Sequence, residues 1–276
     1  MSWLTDPFAF EFMRQAFLIT GLIAAPAGAL SCLLVLKGWA LMGDAISHAV
    51  LPGVVLAYIL GAPLILGAFL AGLFCAGATG FLTENSRVKP DTVMGVVFSG
   101  MFGAGIVMYT AVNPGVHLEH LLFGDMLGVS WADIAETAAI TALVLTVLLV
   151  RRRDLLLYAF DAQHARAIGL PVTWLHYGLL AIISLVVVGA LKAVGLILAI
   201  ALLIGPGAIA HLLTDRFDRM LAISMAVSVL ASVTGIMLSF HVDAAPAPSI
   251  VVMLTGFFMA AFLFAPKHGI LRRRAT

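Results

Sequence analysis

The sequence predicts an all-α polytopic membrane protein, and three observations carry that prediction. The 276 residues are 62% hydrophobic and only 11% charged, with mean hydropathy +1.12, whereas a soluble domain averages about 25% charged residues. Apolar runs of about 20 residues recur along the chain, the length a helix needs to cross a hydrocarbon core of about 30 Å. Runs such as 179–190 and 195–204 do not alternate polar and apolar residues, as the strands of a membrane barrel would.

Nine spans are read as one domain over residues 1–276, at about 17–36, 41–60, 64–82, 92–112, 131–150, 173–191, 194–213, 219–240 and 248–265. Eight is the alternative if a short one fails to cross. The first run follows Asp6 and Glu11 with no basic stretch before it, so it reads as a span and not as a cleaved signal. Lys37 and Trp39 mark the cytoplasmic end of the second span. Arg87 and Lys89 fill the loop after the third span, and the loop 113–130 holds neither Lys nor Arg. Arg151, Arg152, Arg153 and Arg166 lie in the longest internal loop, Arg216 and Arg219 in the next basic one. The segment 241–247 lacks basic residues, and Lys267, Arg272, Arg273 and Arg274 close the chain. With nine spans these loops alternate consistently, which puts the N-terminus outside and the basic loops and the C-terminus in the cytoplasm. Lys192 is the one basic residue on the outer side.

Cys32 and Cys75 fall in apolar segments and read as small buried hydrophobes. Ala68, Gly72, Ala76 and Gly80 form one row of small residues; Gly95, Ser99 and Gly103 form another. Such rows let helices approach closely, here within one bundle. Pro26, Pro52 and Pro206 sit at membrane depth, and each frees the carbonyl four residues earlier. For Pro52 that carbonyl belongs to His48. Pro52 and Pro206 are therefore candidate helix breaks or gates.

Asp44 and His48 are the sharpest feature. Residues i and i+4 share a helix face, and ionisable groups at membrane depth face a partner, a cavity or an ion path. Carboxylate oxygen and imidazole nitrogen are donors for Mn, Fe or Zn. Counting helical rise from Lys37 places Asp44 about 10 Å and His48 about 16 Å inward, near the midplane. Two other readings stand beside the ligand pair: Asp44 as a helix N-cap, and His48 as a core histidine donating to a carbonyl. As ligands the two are too few for a closed site, so others come from another span, from water or from a second copy. His117, Glu119 and His120 in the outer loop are a candidate metal entry, or a solvated polar loop.

The stretch Leu41-Met42-Gly43-Asp44-Ala45-Ile46-Ser47-His48-Ala49-Val50-Leu51-Pro52-Gly53 resembles the signature of the ABC-3 family, the membrane permeases of bacterial ABC importers for manganese, zinc and iron. Asp91–Ser99, His120–Asp125 and the block 189–210 with Leu203-Ile204-Gly205-Pro206-Gly207 match it in order. The resemblance implies a type II ABC importer-like fold with broken helices, and Asp44 and His48 as intramembrane metal ligands. It also implies a coupling segment at 154–172, whose Phe160–Pro171 portion docks into a cytoplasmic ATP-binding subunit; Asp161, Ala165 and Gly169 fit that pattern best. Gly169 and Pro171 close this short helix-compatible stretch. The expected partners are that ATPase, an extracytoplasmic metal-binding protein, a second permease copy or a related permease, and membrane lipid, with no nucleic acid. No permanent cofactor is expected; Mn2+ or Fe2+, with Zn2+ in reserve, is cargo.

The chain holds no G-x-x-x-x-G-K-[ST] loop, so a transport subunit and not an ATPase is expected. The alternative is a secondary proton-coupled metal transporter with Asp44 and His48 as a relay. An intramembrane hydrolase is disfavoured because no nucleophile–base pair can be named.

Overall fold

In a computed structural model, residues 6–112 and 124–265 are described. Among them the architecture is helical throughout. A short 3-10 turn, Asp6–Ala9, precedes α1 (Glu11–Lys37), α2 (Met42–Ile59), α3 (Leu64–Asn85) and α4 (Pro90–Val112). Then come α5 (Trp131–Val150) and two short helices, α6 (Arg152–Phe160) and α7 (Ala162–Ala167). Helical bonding then runs over Val172–Leu213 with one interior break. It divides into two spans, α8 (Val172–Leu191) and α9 (Ala193–Leu213). Helices α10 (Phe217–Val242) and α11 (Pro246–Phe264) complete the chain. Nine of these helices are long and apolar enough to cross a membrane, and each overlaps one of the nine spans read from the sequence.

The break is at Gly195, whose φ of 73° and ψ of 175° are open to glycine and strained for other residues. The chain reverses there. His176, near the start of α8, lies edge-on to Trp39 at 5.3 Å between ring centroids. About 28 Å of helical rise then separates His176 from Gly195. Beyond the break, Leu203 meets Gly43 at the start of α2, and Gly207 meets Ser31 near the end of α1. Both ends of the pair therefore lie toward the same, basic end of the bundle, with Gly195 at the other. There the backbone of Gly124 presses on the turn: a Cβ on it would come 2.5 Å from the Gly195 nitrogen.

Pro26, Pro52 and Pro206 do not break their helices; helical structure continues through each. At Pro206 the reason is visible. The Ser31 hydroxyl of α1 donates to the Ile204 carbonyl at 3.1 Å and accepts the Gly207 N–H at 2.8 Å. A side chain from a neighbouring helix thus satisfies backbone groups around the proline.

Helix α1 is the axis of the bundle. It packs against α5, the α8–α9 pair and α10, while α2 packs between α3 and α4. Hydroxyls tie the helices at depth: Thr141 of α5 to the Leu22 carbonyl at 2.7 Å, Ser224 of α10 to the Gly28 carbonyl at 2.6 Å, and Ser184 of α8 to the Phe69 carbonyl at 3.3 Å. Such bonds hold transmembrane helices together where lipid gives no hydrophobic drive. The row on α3 behaves as expected, with Ala68 and Ala76 buried and Gly72 packed against Ser184 and Ile46. The row on α4 does not: Gly95 and Gly103 have nothing near their Cβ positions, and Ser99 is exposed. A repeat of small residues does not reveal whether its neighbour lies in the same chain.

Candidate metal pair and coupling segment

Asp44 sits in the first turn of α2. The N-cap position is Leu41, with no side-chain cap bond, so the capping reading of Asp44 is not realised. Its carboxylate instead faces His48: Oδ1 lies 3.2 Å from Nε2, with the side chains 30% and 28% exposed. Two donor atoms at that separation match adjacent ligands on one small cation when each bond is about 2.1 Å.

The count of rise from Lys37 assumes a continuous helix, which the structure does not have there. Residues 38–41 form a turn, and the helix begins only at Met42. Asp44 therefore lies about 3 Å and His48 about 9 Å along α2, a third of the way along this 18-residue helix. Against its neighbours the pair nonetheless lies near mid-length: His48 meets Phe98 and Phe102 halfway along α4, and Gly43 meets Leu203 halfway along α9.

His48 is enclosed from α4. Phe98 stacks on it at 5.9 Å between ring centroids and 27° between planes. Phe102 meets it edge to face at 5.2 Å and 73°. Nδ1 of His48 is buried with no hydrogen-bond partner, so the core-histidine reading, which needs a carbonyl acceptor, is not realised either. Pro52 packs beneath the site, where a Cβ on Gly105 of α4 would come 2.9 Å from its ring. One turn apart, Phe98 and Phe102 were visible in the sequence as an i, i+4 aromatic pair, but nothing there aimed them at His48.

Among the described residues no three metal-ligating side chains converge. His117, Glu119 and His120 lie outside the described residues. His211 is exposed at the end of α9, and His241 is bonded through Nδ1 to the Met237 carbonyl at 2.8 Å. A cavity of about 360 Å³ opens at the basic end, lined in part by Lys37, Thr83, Arg166 and His176. Asp44 and His48 do not line it.

The segment 154–172 is short helices, as expected. Asp161 caps α7, its Oδ1 accepting the His164 N–H at 2.8 Å. Ala165 is buried, and Leu170 N–H closes back on its carbonyl at 3.0 Å. Gly169 supplies the left-handed residue this closure requires, with φ of 84°. Phe160 and Ile168 are left exposed on either side of α7. The segment is tied to the bundle by a cluster that the sequence did not announce. Lys37 Nζ donates to the Tyr158 carbonyl at 3.1 Å and stands 4.0 Å over its ring. The Tyr158 hydroxyl is 2.7 Å from Nδ1 of His176. Arg152 pairs with Asp218 at the start of α10, 3.2 Å away.

Known proteins resemble this chain in sequence and in fold. The model of the ABC 3 transport family matches residues 9–265. The chain is 53% identical over 266 residues to a Yersinia pestis protein named chelated iron transport system membrane protein YfeD, covering 95% of this chain and 89% of that one. It is 46% identical over 269 residues to the manganese transport system membrane protein MntB of Synechocystis, covering 98% and 88%. The fold superposes on a chain in the structure of PsaBC from Streptococcus pneumoniae in complex with Fab, with TM-score 0.88, 35% identity and 99% of both chains covered.

Proposed function

The chain belongs to the ABC 3 transport family, and on that premise we propose that it is the membrane permease subunit of an importer for manganese or iron. A separate cytoplasmic ATPase drives it, and an extracytoplasmic metal-binding protein feeds it. Asp44 and His48 are the intramembrane ligands for the cargo ion. The observation that carries this reading is their 3.2 Å approach inside an apolar helix, in a form that no cap or carbonyl bond absorbs. Neutral imidazole and carboxylate suit Mn2+ and Fe2+, and the same donors accept Zn2+.

The physical sequence is short. A metal ion replaces its waters with Asp44, His48 and ligands from outside this chain's described set. A second permease copy, or a related permease, supplies the most economical remainder. The open face of α4 around Gly95, Ser99 and Gly103 permits such close helix contact. The ATPase docks on α6 and α7, where Phe160 and Ile168 offer exposed apolar contacts. Lys37, Tyr158 and His176 transmit its movement to α1 and α8. The exposed segment favours this reading over a secondary transporter, which needs no docking element.

The test is uptake of Mn2+ and of Fe2+ in cells lacking their own importers, with the cognate ATPase and binding protein co-expressed. His48→Ala and Asp44→Ala at equal membrane abundance abolish uptake. Unchanged uptake in both variants overturns the ligand assignment.

A further inference from the structure

We propose that Phe98 and Phe102 are positioning residues for the transported metal: they fix the His48 imidazole so that Nε2, and not Nδ1, meets the ion beside Asp44. The inference rests on the ligand pair proposed above. A metal-binding histidine ordinarily donates its second ring N–H to a carboxylate, carbonyl or water, which sets ring orientation and strengthens the ligand. Among the described residues no carboxylate or carbonyl serves His48 in this way: Nδ1 is buried and unbonded to protein. What surrounds the ring instead is Phe98, nearly parallel at 5.9 Å, and Phe102, nearly perpendicular at 5.2 Å.

Two rings at different angles restrict an imidazole more than one does. The stacked ring limits tilt, and the edge-on ring limits rotation about the Cβ–Cγ bond. Both project from one face of α4, one helical turn apart, so a single rigid element holds them. Apolar faces also keep water from Nδ1, because a water needs polar partners to be retained. The ring is thus oriented by packing, without a hydrogen-bonding side chain or carbonyl at Nδ1. That combination suits a cargo site, which must select an ion and then release it. A resident metal site would use the stronger carboxylate-oriented histidine.

The test uses the purified full permease with its ATPase, loaded with Mn2+ alone. Pulsed electron paramagnetic resonance reads nitrogen modulation from a directly bound imidazole, and titration reads affinity. The wild type shows the nitrogen signal. Phe98→Leu and Phe102→Leu each weaken Mn2+ binding on the order of 10–100-fold, as loss of other ligand-orienting groups does. The two together lose the nitrogen signal at saturating Mn2+, while Phe98→Tyr and Phe102→Tyr restore it. Phe98→Met and Phe102→Met keep the volume without the ring, and cover a leucine variant that fails to fold. Nitrogen modulation and affinity within about twofold of wild type in the Met variants overturn the proposal and leave the ligand pair standing. Absence of the signal in the wild type overturns the ligand pair itself.

Discussion

Replacing Gly53 with alanine strikes the closest helix crossing beside the metal pair. Gly53 of α2 and Gly67 of α3 face one another. A Cβ on Gly53 would lie 2.5 Å from the Ala71 Cβ and nearer still to the Gly67 carbonyl oxygen; one on Gly67 would lie 2.6 Å from the Ala57 Cβ. Carbon atoms in contact rest about 3.5–4.0 Å apart, so the shortfall is about 1 Å. Backbone cannot swing aside as a long side chain does, and the helices must separate. Overpacking of this kind costs about 3 kcal/mol. Alanine's preference for helix over glycine offsets about 1 kcal/mol of it. The net loss of about 2 kcal/mol lowers Tm by about 4–8 °C for a chain of this size. Gly77→Ala on α3 is the control, because nothing lies within 4 Å of that Cβ; it leaves Tm unchanged or raises it. Thermal unfolding of the purified protein in detergent, followed by the loss of the monodisperse peak, reads both. A Gly53→Ala protein as stable as Gly77→Ala refutes the crossing, and with it the packing that sets the angle of α2.

Three further outcomes follow from single groups. Ser31→Ala strands the Ile204 carbonyl and the Gly207 N–H beside Pro206, which costs about 1–3 kcal/mol in the same unfolding assay; no change would mean that the helix repairs itself there. Asp161→Ala removes the cap of α7, worth about 0.5–2 kcal/mol, and lowers metal uptake with little effect on Tm because the segment lies at the periphery. A full loss of folded protein would contradict that local role. Gly195→Ala places a side chain on a backbone open to glycine, at a cost of about 1–3 kcal/mol, whereas Gly21→Ala, with free space around its Cβ, is neutral; equal stability of the two would remove the strain argument for the reversal.

The spans were legible because their signal is long and redundant: about twenty apolar residues in a row survive any local exception. Asp44 and His48 were legible for the opposite reason, as rare polar groups in an apolar background at a spacing that only a helix brings together. What stayed hidden depended on partners distant in sequence. Phe98 and Phe102 read as ordinary apolar residues until α4 is laid against α2. Tyr158 and His176 acquire a role only when α6 folds back onto the ends of α1 and α8. The count of rise from Lys37 ran through residues 38–41, which turn instead of climbing, yet the pair meets α4 and α9 halfway along their lengths.

The helix breaks show the same division more sharply. Proline removes a donor from the chain itself, and so marks a break on sequence grounds. Whether the helix yields is decided by what the neighbour offers. At Pro206 the neighbour offers Ser31, 175 positions earlier in the chain, whose hydroxyl reaches Ile204 and Gly207, and the helix runs on. At Gly195 no donor is missing, yet the backbone leaves the helix and the chain turns back, with Gly124 pressed against the turn. A continuous helix through Pro206 and a reversal at Gly195 make the α8–α9 pair two helices joined at one turn, not rods broken at proline. The Asp44–His48 pair on α2 meets those helices at Leu203 against Gly43, one residue from Asp44. Packed carbon atoms therefore join α9 to the start of α2, and α2 itself runs unbroken through Pro52.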